Sequence, residues 1–349
     1  MAEGEPRRAQ LVPRPLSSWQ ILLSYLVILT VTSAIQAQTK TGLVFHKDYL
    51  AHDTGRNHPE NADRLRAVVQ HLKETGIADS VHSIDARLVA DKWITMVHHP
   101  DYWRALKRAS EKAPLMLDQD TVMSAGSLTA ARRASGGILA AIDAVVSQTV
   151  QTAFVAARPP GHHALSDRAM GFCLINHVAI AARYVQQAHG IKRVLIIDWD
   201  VHHGNGTQAM FYDDPSVLFF SVHQYPFYPG TGHASEQGEG AGVGFTLNEP
   251  LPAGADDEAV VEAFKRTLIP AAARFRPEFV LISAGFDGHR DDPLAGWNLS
   301  AKGYATLTHL VKGIARQYAG GRLVSLLEGG YDLESLSRSV AAHIRALRE

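Results

Sequence analysis

The chain has 349 residues, 46% apolar and 20% charged, with a formal net charge of −1, an ordinary globular composition with room for one large α/β domain or two smaller ones. Lys and Arg are spread without a block of five or more, which argues against a nucleic-acid surface. The single cysteine, Cys173, excludes an internal disulfide and cysteine-based zinc motifs, so any metal must be held by His, Asp or Glu.

Residues 1–40 read as separate from the fold. Arg7, Arg8 and Arg14 precede an apolar run from Ile21 to Ile35, and small or polar residues follow (Ser33, Ala34, Ala37). That order matches a secretory signal peptide, with cleavage after Ala37 or Ala34. The run is short for a transmembrane helix, which needs roughly 20 apolar residues. An uncleaved membrane anchor is the second reading, and a mis-assigned start the third. The first two place the protein outside the cytoplasm or at a membrane; the third leaves it cytoplasmic.

Residues 41–349 read as one domain without linker or repeat. Predicted strands are 42–46, 153–157, 193–199, 217–222, 279–284 and 322–327. Predicted helices are 61–75, 93–111, 127–147, 176–189, 257–275, 301–318 and 334–348. Runs such as Val194-Leu195-Ile196-Ile197 imply strands buried on both faces. Alternation with helices then predicts a mostly parallel central sheet flanked by helices on both faces. In such sheets ligands bind beyond the carboxyl ends of the strands.

Four predicted strand ends deliver reactive side chains. They lead into Arg158-Pro159-Pro160-Gly161-His162-His163, Asp200-Val201-His202-His203-Gly204-Asn205, Gly285-Phe286-Asp287 and Glu328-Gly329-Gly330-Tyr331. Asp200 and His202, two apart in extended backbone, share one side of the chain. With Asp287 they make a three-ligand set, and three protein ligands leave the open position of a catalytic zinc site. Each alone reads better as a cap or packed residue; together they read as a metal site. Adjacent His162 and His163 can divide acid and base roles if their environments differ. Asp198 suits His162 and Asn205 suits His163, because a carboxylate favours imidazolium and an amide does not. Tyr331 can donate to an oxyanion, the preceding Gly329 and Gly330 letting its loop approach closely. Gly171-Phe172 and Phe227-Tyr228 are aromatics bounded by glycine or proline, suited to the walls of a narrow tunnel.

These motifs, with Gly171-Phe172-Cys173, Asp198-Trp199-Asp200 and Leu327-Glu328-Gly329-Gly330-Tyr331, resemble the histone deacetylase family in order and spacing. The resemblance implies the arginase/deacetylase α/β fold and removal of acetyl groups from lysine or a related amine. It implies one Zn2+ on Asp200, His202 and Asp287; ligand types alone do not separate zinc from ferrous iron. His162 and His163 match the paired catalytic histidines, Tyr331 the transition-state tyrosine, and Phe172 and Tyr228 the tunnel aromatics, with Gly171, Leu294, Gly329 and Gly330 beside them in the tunnel wall. Arg64, just after His58-Pro59-Glu60-Asn61, matches an arginine near the acetate-release cavity. It also implies structural K+ at Asp198, Asp200, His202, Ser221 and Val222, and at Phe211, Asp214, Val217 and Phe245. Asn205 and the Leu-Glu-Gly-Gly-Tyr segment look like class II and bacterial members. Gly204 stands where arginase relatives carry a second metal-binding Asp, which implies one catalytic metal. Leu294 falls where polyamine-selective relatives carry Glu, which favours acyl-lysine over acetylpolyamine. Two other classes remain: a Cys173 nucleophile with His162 as base, and a non-catalytic acyl-ligand binder.

Overall fold

Five apolar runs, Thr152–Val155, Val194–Asp198, Val217–Gln224, Phe279–Ala284 and Leu323–Leu327, are buried at every position. Successive side chains of a strand point to opposite faces, so burial throughout requires cover on both sides. The computed structural model, which describes Met1 and residues 40–349, supplies that cover. The predicted signal peptide or anchor falls on residues outside the described ones. Among the described residues no helix is long and apolar enough to cross a membrane.

The strands are β1 (Thr41–Val44), β2 (His82–Ile84), β3 (Leu115–Met116), β4 (Val122–Met123), β5 (Thr152–Val155), β6 (Val194–Asp198), β7 (Val217–Gln224), β8 (Thr246–Leu251), β9 (Phe279–Ala284) and β10 (Leu323–Leu327). Eight of them form one sheet in the order β2-β1-β5-β10-β9-β6-β7-β8, with every pairing parallel. β3 and β4 pair separately as an antiparallel hairpin. Helix Ser127–Val146 packs against His177–His189 and onto β1, β5 and β10, while Leu333–Arg348 packs between Asp63–Glu74 and Ala301–Tyr318 and onto β1 and β5.

Every predicted strand is present, within two residues at each end. β2 and β8 escape prediction because neither carries an apolar run, β2 being His-Ser-Ile and β8 containing Asn248, Glu249 and Pro250, and the hairpin because its strands are only two residues long. Pro250 is tolerated because β8 is an edge strand. The predicted helix 93–111 is two helices, Asp91–Ile94 and Pro100–Glu111. Pro100 lacks the N–H needed inside a helix and instead opens the second one, capped by the His99 side chain. The predicted helix 257–275 runs through a π-turn at Phe264–Leu268, just before Pro270, whose ring nitrogen cannot donate to the preceding turn.

Beneath the carboxyl end of β10 lies an ion cluster with no solvent exposure, made of Glu60, Arg64 and Arg158. Arg64 Nη1 donates to Glu60 Oε1 at 3.0 Å, and Arg158 donates to both Glu60 oxygens, Nη2 to Oε2 at 2.8 Å. Arg64 also donates to the carbonyls of Glu328 and Gly330, both at 2.5 Å, and so holds the loop that carries Tyr331. Burial works to raise the Glu60 pKa, but the Arg158 charge and the His52 hydrogen bond outweigh it and hold it well below the ordinary 4.5. A carboxylate with a depressed folded pKa contributes stability that is complete above its unfolded pKa and is lost as pH falls through the folded value. Acid unfolding should therefore draw on Glu60 only below about pH 4.5. Glu60→Gln leaves two guanidinium groups uncompensated and is expected to cost about 3–5 kcal/mol at neutral pH, read by denaturant unfolding. A loss under about 1 kcal/mol would show that the backbone carbonyls suffice.

Candidate active site and metal centre

The carboxyl ends of β5, β10, β9 and β6 are neighbours in the sheet, and each feeds one segment of the site. After β5 the chain reaches His162 and His163, whose rings lie 3.9 Å apart. His162 Nδ1 is 2.9 Å from Asp198 Oδ2 at the end of β6. Burial opposes a charge on His162, but Asp198 and then Asp200 overcome it and raise its pKa to about 10. His162 is therefore imidazolium at neutral pH. His163 Nδ1 is 2.8 Å from Asn205 Oδ1. A carbonyl oxygen only accepts, so Nδ1 carries the hydrogen and Nε2 is the basic nitrogen. Burial, then the neighbouring His162 charge, holds the His163 pKa well below 6.5. Two adjacent imidazoles are thus held in opposite charge states. Asn205 itself opens a short helix, Asn205–Met210, that the sequence reading left as loop.

Asp200, His202 and Asp287 present ligand atoms that all lie within 4.8 Å of one another. His202 Nδ1 is 3.1 Å from Asp200 Oδ1 and 3.1 Å from Asp287 Oδ2. The other carboxylate oxygens are aimed by backbone: Gly329 N–H donates to Asp200 Oδ2 at 2.8 Å, and Val201 N–H to Asp287 Oδ1 at 2.9 Å. Burial disfavours charge on His202, yet its hydrogen bonds to both carboxylates raise its pKa to about 10. Glycine is required at 329, where a Cβ would fall 2.1 Å from Asp287 Oδ2 and 2.6 Å from Asp200 Oδ2. Two buried carboxylates, one imidazole and this clearance fit a divalent ion.

A second group, His162, Cys173 and Glu328, also comes within 4.8 Å. Its donors are already engaged: Cys173 Sγ donates to Gly171 O, and both Glu328 oxygens accept hydrogen bonds. Burial pushes the Cys173 thiol pKa well above its ordinary value, so it stays protonated. The same burial removes Cys173 as a nucleophile.

A cavity of about 220 Å³ opens above the metal cradle, with His163, His202 and Tyr331 in its lining. Gly171, Phe172, Phe227, Tyr228, Leu294 and Asp120 complete its wall. Gly171 and Phe172 both have positive φ, 56° and 67°. For a phenylalanine that is a costly backbone, and it turns the ring into the cavity wall. A Cβ at Gly171 would meet His163 Cδ2 at 2.5 Å. Phe227 stacks on His202 with centroids 5.4 Å apart, and Tyr228 sets its edge against His163 at 5.2 Å. Gly329 and Gly330, expected in the tunnel wall, lie behind it: Gly329 under the metal carboxylates, Gly330 bonded through its carbonyl to Arg64.

The Tyr331 ring lies edge-on to Phe172 at 6.0 Å, with the Arg64 guanidinium 4.9 Å over its face. Asp292 accepts the Tyr331 N–H at 2.6 Å and the Leu294 N–H at 3.0 Å, so one carboxylate anchors two residues of the wall. Asp332 caps helix Leu333–Arg348 through Ser335 N–H and fixes the loop from its far side. Of the residues expected to hold potassium, Ser221 pairs with Asp198 across β7 and β6, and Val222 follows it. Phe211 and Asp214 lie in the turn before β7, Val217 opens that strand, and the Phe245 carbonyl accepts Phe219 N–H at 2.8 Å. Glu60, Asp120 and Asp292 were missed or unranked; each is an isolated acidic residue whose partners are distant in sequence.

A profile of the histone deacetylase domain matches residues 58–347. The chain belongs to the histone deacetylase family. A probable deacetylase of Archaeoglobus fulgidus is 40% identical over 296 residues, covering 84% of this chain and 82% of the relative. The histone deacetylase-like amidohydrolase of Pseudomonas aeruginosa is 39% identical over 275 residues, 78% of this chain and 72% of that one. The crystal structure of the HDA15 HD domain is similar with a TM-score of 0.85 at 39% identity, over 89% of this chain and 90% of that one. This histone deacetylase family member has the arginase/deacetylase fold and is a hydrolase of amide bonds.

Proposed function

We propose that this family member is a zinc-dependent deacylase that removes acetyl or related acyl groups from lysine side chains. One juxtaposition carries the reading: the neutral imidazole of His163 and the Tyr331 phenol share one cavity with the metal cradle. Asp200, His202 and Asp287 would hold the zinc, which would supply a Lewis acid for the amide carbonyl and for water. His163 Nε2 takes the proton from the attacking water. Tyr331 donates its hydroxyl to the oxygen on which negative charge develops. His163 then returns the proton to the leaving nitrogen as the C–N bond breaks, and the acid and the free amine depart. His162, kept protonated by Asp198, contributes fixed positive charge throughout. Phe172, Phe227 and Tyr228 shape a slot for an apolar methylene chain, and Leu294 adds no charge to its wall.

Metal removal is the deciding test. The purified chain should hydrolyse acetyl-lysine peptides, lose at least about 100-fold in rate with a chelator, and recover with zinc. The melting temperature should fall with the metal, because an ion that binds only the folded state stabilises it. Alkylation should leave the rate unchanged. Acetylpolyamines in the same panel test the small-amide alternative, and an unhydrolysed panel would favour a binding protein. The two clusters of residues around β7 are read as structural K+ sites, and the first 40 residues as an export signal or anchor.

A further inference from the structure

We infer that Glu328 is a positioning residue for the histidine pair: its carboxylate fixes the Gly161–His162 turn by accepting two consecutive backbone N–H groups. The inference rests on the catalytic reading of His162 and His163 given above.

Glu328 is the first residue after β10 and has no solvent exposure. β10 lies between β5 and β9, so a side chain at its end can reach both neighbouring strand ends. Glu328 does so: Oε2 accepts Gly161 N–H at 2.7 Å and His162 N–H at 3.3 Å, both in the turn after β5. Oε1 accepts the Ser283 hydroxyl at 2.9 Å, in β9.

The turn needs such an acceptor. Pro159 and Pro160 have no N–H, so the first donors after them belong to Gly161 and His162. A buried N–H without a partner is costly, and no strand offers one here. The opposite side of the turn is closed by His177, whose Nε2 bonds the Pro159 carbonyl at 3.1 Å. A Cβ at Gly161 would lie 2.8 Å from His177 Cδ2, so the turn is clamped between that ring and Glu328. Both imidazoles hang from this clamp, and a shift on the order of 1 Å in a catalytic group costs about 100-fold in rate.

The test compares Glu328→Ala, Glu328→Asp and Glu328→Gln in the full chain at measured zinc content. Glu328→Ala should lower kcat by about 10–100-fold with KM within about threefold. Glu328→Asp, one methylene short, should lose roughly tenfold and keeps the test informative if the alanine variant fails to fold. Glu328→Gln keeps an oxygen for the two N–H groups and should recover most of the loss. Amide exchange at Gly161 and His162 should be slow in wild type and Glu328→Gln, and fast in Glu328→Ala or Glu328→Asp. A purely structural role would lower melting temperature while leaving kcat of the folded protein and these two amides unchanged, and would overturn the inference. So would Glu328→Gln falling as far as Glu328→Ala, which would assign the effect to charge. An inert wild type would instead overturn the deacylase reading, while exchange at the two amides would still decide whether the clamp exists.

Discussion

Replacing His163 with alanine is expected to lower kcat by about 10²–10⁴, the range contributed by a positioned acid–base group. The loss should be large because one nitrogen serves both proton transfers. His163 Nδ1 is committed to Asn205, so only Nε2 can accept and return the proton. The pH profile gives a second check. Burial, then the His162 charge, lowers the His163 pKa below 6.5, so its neutral form persists to lower pH. The acid limb of kcat/KM should therefore fall below the pH of an ordinary histidine. Asn205→Asp would place a negative charge against Nδ1, favour the imidazolium and move that limb to higher pH. A limb unmoved by this exchange would separate His163 from proton transfer.

Tyr331→Phe is expected to lower kcat by about 10²–10³, the scale of losing one oxyanion donor. Zinc content, by elemental analysis, should match wild type, because Tyr331 contributes no atom to the group of Asp200, His202 and Asp287. KM should change little, since Arg64, Phe172 and Asp292 hold ring and backbone without using the hydroxyl. The Tyr331 pKa is pushed well above its ordinary value by burial and the Asp287 charge, so the group remains a proton-bearing donor across the working pH range. Normal acetyl-lysine turnover by this variant would remove Tyr331 from the mechanism.

The metal ligands and the histidine pair were legible because each lies within eight residues after a buried strand end. Continuous apolar runs mark those ends, and the parallel-sheet rule gathers them at one edge. Asp198 and Asn205 could be matched to their histidines by charge alone. The supports were not legible. Glu60 reaches Arg158 across 98 residues, and Asp292 reaches Tyr331 across 39. Nothing local distinguishes either from a surface acid. Gly329 and Gly330 were placed in the tunnel because glycine signals close approach without saying to what. At Gly329 the answer is the pair of metal carboxylates, on the cavity's far side. β2 and β8 were invisible because edge strands lack the two-sided burial that makes apolar runs.

β10 is the last strand in sequence, yet it lies between β5 and β9. During synthesis the chain can therefore complete β9-β6-β7-β8, with Asp200, His202 and Asp287 at its edge, before residues 323–327 leave the ribosome. The histidine pair follows β5 in the other group of strands, β2-β1-β5, and within the sheet β10 stands between the two groups. The segment after that strand then completes both parts at once, Gly329 aiming the Asp200 carboxylate and Glu328 holding the turn before the histidine pair.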